Sequence, residues 1–125
     1  MKYLIFLFVA FWFNCSAQLG LTPKEVQSQH TTVLKQNYTS DGTLYLYGVE
    51  EGYLLSFMFT PDNKCYKMAM KPLDQAAEDD MYVTLGNMAA KTSPTTWLIK
   101  GDSKGDTKIT LQYLDGEAVF VFTYY

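Results

Sequence analysis

The period of the apolar residues constrains this chain most, because it changes from helical to alternating at Asp41-Gly42 and then runs through both periods a second time. Alternation demands a sheet with one buried face, and a helical stripe demands a surface to lie on. Strands are predicted over residues 43–49, closed by Glu50-Glu51-Gly52, and over 53–60 and 65–70, joined by the turn Pro61-Asp62-Asn63-Lys64. Closing that turn sets Thr60 opposite Cys65 and Phe59 opposite Tyr66. Leu55, Phe57, Phe59, Tyr66, Met68 and Met70 then share an apolar face. Leu54, Ser56, Met58, Thr60, Cys65, Lys67 and Ala69 make the other, a mixed and partly wet surface.

A helix precedes each set of strands. Thr22 is placed to cap the first, with Pro23 at its first position and Glu25 three residues after the cap, the pattern of a capping box, and Leu21 and Val26 can close a hydrophobic staple. That helix is predicted over 23–36, with Val26, His30, Val33 and Leu34 on its packing face. Leu73, Ala77, Met81, Leu85 and Met88 mark a second helix over 73–90, followed by a linker at 91–94. Strands over 95–100, 107–114 and 117–124 complete the chain. The last pair turns at Asp115-Gly116, a strong two-residue hairpin signal that puts Ile109, Leu111, Tyr113, Phe120, Phe122 and Tyr124 on one face. The expected fold class is α+β: two helix-plus-three-strand units forming a mainly antiparallel sheet, with both helices on one face. The halves are expected to meet through Phe57, Phe59, Met68, Leu111, Phe120 and Phe122.

Residues 1–17 read as a secretory leader: Lys2 as the charged start, an uncharged apolar run of about 11 residues, and Cys15-Ser16-Ala17 as a small-residue cleavage site before Gln18. A bilayer needs roughly 20 apolar residues, so no permanent membrane span is expected after processing. The protein is therefore expected to be exported, periplasmic or secreted, as a single α+β domain over 18–125. Trp12, Phe13 and Asn14 before Cys15 fit lipid attachment badly. Losing the leader leaves Cys65 as the one thiol, so no internal disulfide can form and the core must supply the stability. All 10 basic residues are lysine and the net charge is -3. An acidic chain without arginine lacks the electrostatic footprint of a nucleic-acid binder.

Gly20-Leu21-Thr22-Pro23-Lys24-Glu25-Val26, followed by a helix and meandering strands, resembles the start of small exported bacterial domains of the SmpA/OmlA and beta-lactamase-inhibitor-like group. The run from Phe59 to Cys65 (FTPDNKC), then a strand, Pro72, a helix and Trp97, is similar to uncharacterised small secreted bacterial proteins with the same element order. The glycine-proline turn usual after the first helix of the lipoprotein relatives is replaced by Asn37-Tyr38-Thr39-Ser40-Asp41-Gly42. The resemblance implies protein-protein interaction in the cell envelope and brings no catalytic residue.

The residues able to do chemistry are sparse. His30 is the single histidine, and zinc needs further ligands. Cys65 has Lys67 two residues on, where an ammonium would favour the thiolate of a thiol-dependent enzyme or redox protein, yet a packed thiol is the simpler reading. Glu78-Asp79-Asp80 reads as the wet face of the second helix, and Asp102, Ser103 and Asp106 lack calcium-loop spacing. No metal or other cofactor is expected. Asn37-Tyr38-Thr39 matches a glycosylation sequon, which would report an exposed loop. Tyr45 and Tyr47 share a strand face, with Tyr53 following across a turn, and tyrosines suit interfaces because the ring buries area while the hydroxyl stays wet. The expected function is a non-catalytic binding or interaction domain whose partner is another protein and whose candidate surface is Tyr45, Tyr47 and Tyr53.

Overall fold

The computed structural model describes residues 19–100 and 105–124. The expected leader and cleavage site lie outside the described residues, as do Asp102 and Ser103. In chain order the elements are α1 (Pro23–Ser28), β1 (Lys35–Tyr38), β2 (Leu44–Glu50), β3 (Tyr53–Phe59), β4 (Cys65–Pro72), α2 (Gln75–Met88), β5 (Ala90–Ser93), β6 (Thr96–Ile99), β7 (Thr107–Leu114) and β8 (Glu117–Tyr124). The strands form one 8-stranded sheet in the order β1-β2-β3-β4-β8-β7-β6-β5. Every neighbouring pair is antiparallel.

The sheet is antiparallel as expected, but four strands follow each helix where three were predicted. Both extra strands lie at the edges. β1 arises because α1 stops at Ser28 instead of continuing to 36. The capping box forms, with the Glu25 N–H donating to Thr22 Oγ1 at 3.2 Å and the Thr22 N–H to Glu25 Oε1 at 3.0 Å. One turn later the Gln27 side chain donates to the Thr32 carbonyl at 2.9 Å and accepts from the Leu34 N–H at 2.8 Å, folding the chain back out of the helix. The β-branched run Thr31-Thr32-Val33 favours that exit. Gly48 leaves room for Leu34 to lie on the sheet, since a Cβ there would meet Leu34 Cδ2 at 2.9 Å. The second helix is trimmed from 73–90 to Gln75–Met88 by its N-cap, Asp74, whose carboxylate accepts from the Ala77 N–H at 2.8 Å. Residues 90–93, expected as helix end and linker, pair with β6 as an edge strand.

The β7–β8 hairpin keeps its predicted register, Leu114 pairing with Glu117 and Leu111 with Phe120. Asp115 and Gly116 take φ of 52° and 78°, the left-handed pair that a two-residue turn of this hand requires. The β3–β4 hairpin keeps the predicted register from Met58–Lys67 inward, then slips by one residue at a bulge that pairs Phe59 with Cys65. The slip exchanges two side chains. Cys65, expected on the mixed face, is 1% exposed in the core, and Tyr66, expected in the core, is 42% exposed.

A continuous row of Cα partners, Leu46, Phe57, Met68, Phe122, Ile109 and Trp97, crosses from β2 to β6 and is buried throughout. The expected seam residues Phe57, Phe59, Met68, Leu111, Phe120 and Phe122 are all buried. The hydrophobic cluster takes Val26 from α1, Ala77, Met81 and Leu85 from α2, and sheet side chains from the face that carries this row. Leu19 joins it at the N-terminal end, where the Gly20 N–H donates to the Cys65 carbonyl and the Leu21 carbonyl accepts from the Cys65 N–H. None of the helices among the described residues is long and apolar enough to cross a membrane.

Candidate binding face

The opposite face of the sheet carries the half-exposed residues, together with Val119 and Val121 of β8, which are buried. Strand alternation puts Tyr45 and Tyr47 there, because the intervening Leu46 points into the core at 5% exposure. Their rings lie 5.7 Å apart at 32°. Across the sheet Tyr45 pairs with Met58 and Tyr47 with Ser56. The hydroxyl of Tyr66 reaches the Sδ of Met58 at 3.9 Å, which brings a third tyrosine to the same patch. Exposed Val49 lies beside Leu54 at its end.

Tyr53 does not belong to this patch. It is fully buried on the core face, and its hydroxyl donates to the Ala77 carbonyl at 2.7 Å, tying β3 to α2. The sequence suggested Tyr53 because it follows Tyr47 across a turn, but the pair Glu50–Tyr53 places it in line with Gly48 and Leu46. Tyr66 was missed for the converse reason. The bulge that turns it outward depends on how the Pro61-Asp62-Asn63-Lys64 loop closes, with Asn63 at a φ of 62° and the Thr60 N–H donating to the Lys64 carbonyl at 2.8 Å.

Cys65 is an unbridged buried thiol. Burial pushes its pKa up to about 12, against a smaller opposing effect of the Lys67 backbone. Lys67 does not share its face: the bulge turns Cys65 to the core, while Lys67 pairs with Met58. The burial of Cys65 thus disfavours the thiolate, the form in which a thiol acts as a nucleophile. A thiol reagent such as dithionitrobenzoate is expected to leave Cys65 unlabelled in the folded protein and to label it once the protein is unfolded. Stoichiometric labelling at native pH would show that the core opens around Cys65.

His30 has a partner that sequence could not supply. Its Nδ1 lies 2.6 Å from Glu50 Oε2, with side chains 1% and 11% exposed, and its ring packs 5.3 Å from that of Phe57. Burial of the Glu50 carboxyl disfavours its charge, but the hydrogen bond and charge of His30 and the Thr32 N–H outweigh burial and hold its pKa below the usual range. The pair ties the α1–β1 connection to the β2–β3 turn. Among the described residues no group of three or more His, Cys, Asp or Glu could hold a metal ion.

An open cleft of about 340 Å³ lies between β4, the start of α2 and the β7–β8 turn, lined by Lys71, Leu73, Asp74, Glu78 and Glu117 among others. Its charged groups have partners: Lys71 pairs with Glu117, Asp74 caps α2, and Glu78 accepts from the Tyr82 hydroxyl at 3.3 Å. The acidic side of α2 behaves as expected, with Asp79 and Asp80 exposed. Asp106 lies 3.4 Å from Lys100. The sequon falls on exposed edge strand β1 and the residue after it. Comparison with protein families, curated proteins and solved structures finds no match for this chain.

Proposed function

We propose that the protein is an exported, non-catalytic interaction domain that binds another protein through the open face of its sheet. The observation that carries this reading is the patch of Tyr45, Tyr47 and Tyr66 around Met58, half-exposed or exposed on the face turned away from the core. Large aromatic side chains with a wet hydroxyl are the groups most often found at the centre of protein interfaces. The burial of Val26 of α1 in the hydrophobic cluster and the contact of Tyr82 of α2 with Phe120 support both helices covering the same face, which leaves the other open. Secretion rests on the leader at 1–17, and the envelope setting on the resemblance of residues 20–26 and 59–65 to small exported bacterial domains.

The test is a binding titration against the partner recovered from the envelope or secreted fraction. Tyr45→Ala and Tyr47→Ala are each expected to weaken binding by about 1 to 2 kcal/mol, with unfolding midpoints close to that of the parent. Affinity indifferent to both substitutions would overturn the reading. Mass spectrometry of the exported chain tests its location, with Gln18 expected at the N-terminus.

A further inference from the structure

We propose that the open face binds an acidic polypeptide segment, drawn in by Lys35, Lys67 and Lys108 and seated on the apolar residues between them. This rests on the interface reading above and adds the chemistry of the partner.

The inference comes from the register. Tyr45, Met58, Lys67, Thr123, Lys108 and Leu98 are successive Cα partners on β2, β3, β4, β8, β7 and β6, so they form one row across the open face. The next row begins with Lys35 beside Tyr47 and continues through Ser56, Ala69, Val121 and Thr110. Strand alternation adds Lys71 and Glu117 to this face, where they pair with each other. The strand positions of the face thus carry Lys35, Lys67, Lys71 and Lys108 against Glu117 alone, in a chain whose net charge is -3. The other described carboxylates sit elsewhere: Glu25 on α1, Glu78, Asp79 and Asp80 on α2 with Asp74 as its cap, Asp41, Glu51, Asp62 and Asp115 in turns, Glu50 at the core, and Asp106 just before β7, 3.4 Å from Lys100. Lys35, Lys67 and Lys108 have no carboxylate within ion-pair distance among the described residues. Lys67 and Lys108 flank Thr123 from two strands apart, roughly 10 Å.

The row sets two lysines, Lys67 and Lys108, between apolar ends, Tyr45 and Met58 on one side and Leu98 on the other. A partner matching it must offer carboxylates opposite Lys67 and Lys108 and apolar groups opposite Tyr45, Met58 and Leu98. A polypeptide offers both. An anionic polysaccharide would satisfy the lysines and leave the apolar side chains in water. An anionic bilayer is best met by apolar side chains that protrude, whereas the middle of this face is Ser56, Ala69, Val121 and Thr110, and its one large apolar side chain, Val121, is buried.

The probe is a short synthetic peptide of interleaved glutamate and leucine, labelled for fluorescence anisotropy against the mature protein across a salt series. Its lysine-leucine counterpart, a heparin fragment and phosphatidylglycerol vesicles serve as competitors. The acidic peptide is expected to bind and to weaken as salt rises. Lys67→Glu with Lys108→Glu should lower its affinity about tenfold or more, while Lys64→Glu in the β3–β4 turn should leave it unchanged. If the charge-reversed chain unfolds, Lys67→Gln with Lys108→Gln replaces it, with a smaller loss expected. Absence of binding, equal affinity for the double variant, or preference for heparin or vesicles would overturn the proposal. So would salt-sensitive self-association abolished by Lys67→Glu, which would make the acidic side of α2 on a second copy the occupant. If the peptide fails while a recovered partner still requires Tyr45 and Tyr47, the acidic chemistry is wrong and the interface stands. Indifference to both tyrosines and lysines removes both.

Discussion

Phe120→Ala is expected to destabilise the fold by about 3 to 5 kcal/mol, a large share of the 5 to 15 kcal/mol typical of a whole domain. Phe120 is fully buried on β8 and pairs with Met70 on β4 and Leu111 on β7, so it sits where the two halves of the sheet join. The Tyr82 ring of α2 meets it edge-on at 5.6 Å, and the Trp97 ring of β6 lies 6.2 Å away. The cavity left by truncation would therefore be walled by two hydrogen-bonded strands, a helix and an indole. None of these can close in without breaking the ladder or shifting α2, and sites that cannot collapse lose the most. Phe120→Leu keeps most of the volume and should cost less than about 1.5 kcal/mol. Urea unfolding measures both, with the midpoint expected to fall and the slope to stay constant. A loss below about 1 kcal/mol for the alanine variant would mean that the two halves hold together by backbone pairing without this ring.

The parts of the fold legible in the sequence are those where one face of a strand is buried. Alternation fixed β7 and β8 because Ile109, Leu111, Phe120 and Phe122 all point inward and Asp115-Gly116 admits one tight turn. It could not reveal β1 or β5. Lys-Gln-Asn-Tyr is exposed along its whole length, and Ala-Lys-Thr-Ser nearly so, as edge strands often are; they leave no apolar period to read. The same limit governs the candidate site. Tyr45 and Tyr47 were legible as a pair because they are two residues apart on one strand. Sequence places Tyr53 on their surface and the fold puts it in the core, while Tyr66 makes the reverse exchange. A one-residue bulge decides the second exchange, and register errors of one residue always exchange faces. The His30–Glu50 contact spans 20 positions and joins residues whose local sequence marks one for a helix face and the other for a turn, so only the tertiary fold could bring it out.

That contact gives the second large effect, because it is both buried and titratable. Glu50→Gln is expected to cost about 2 to 3 kcal/mol near neutral pH, somewhat under the 3 to 5 kcal/mol of a fully buried pair because Glu50 keeps some contact with solvent. The pH dependence has a definite sign. The Glu50 carboxyl titrates below its ordinary value of 4.5 in the folded chain. The folded state thus binds its proton less readily than the unfolded chain does. The stabilisation from Glu50 is complete above the ordinary glutamate range and disappears as the pH falls through the lowered value. In acid the parent should lose stability faster than Glu50→Gln, and the two unfolding curves should converge. Urea midpoints of both chains, measured from neutral pH downward, test this directly. Parallel curves, with the gap unchanged in acid, would mean that the glutamate holds His30 by shape and hydrogen bonding alone, without its charge.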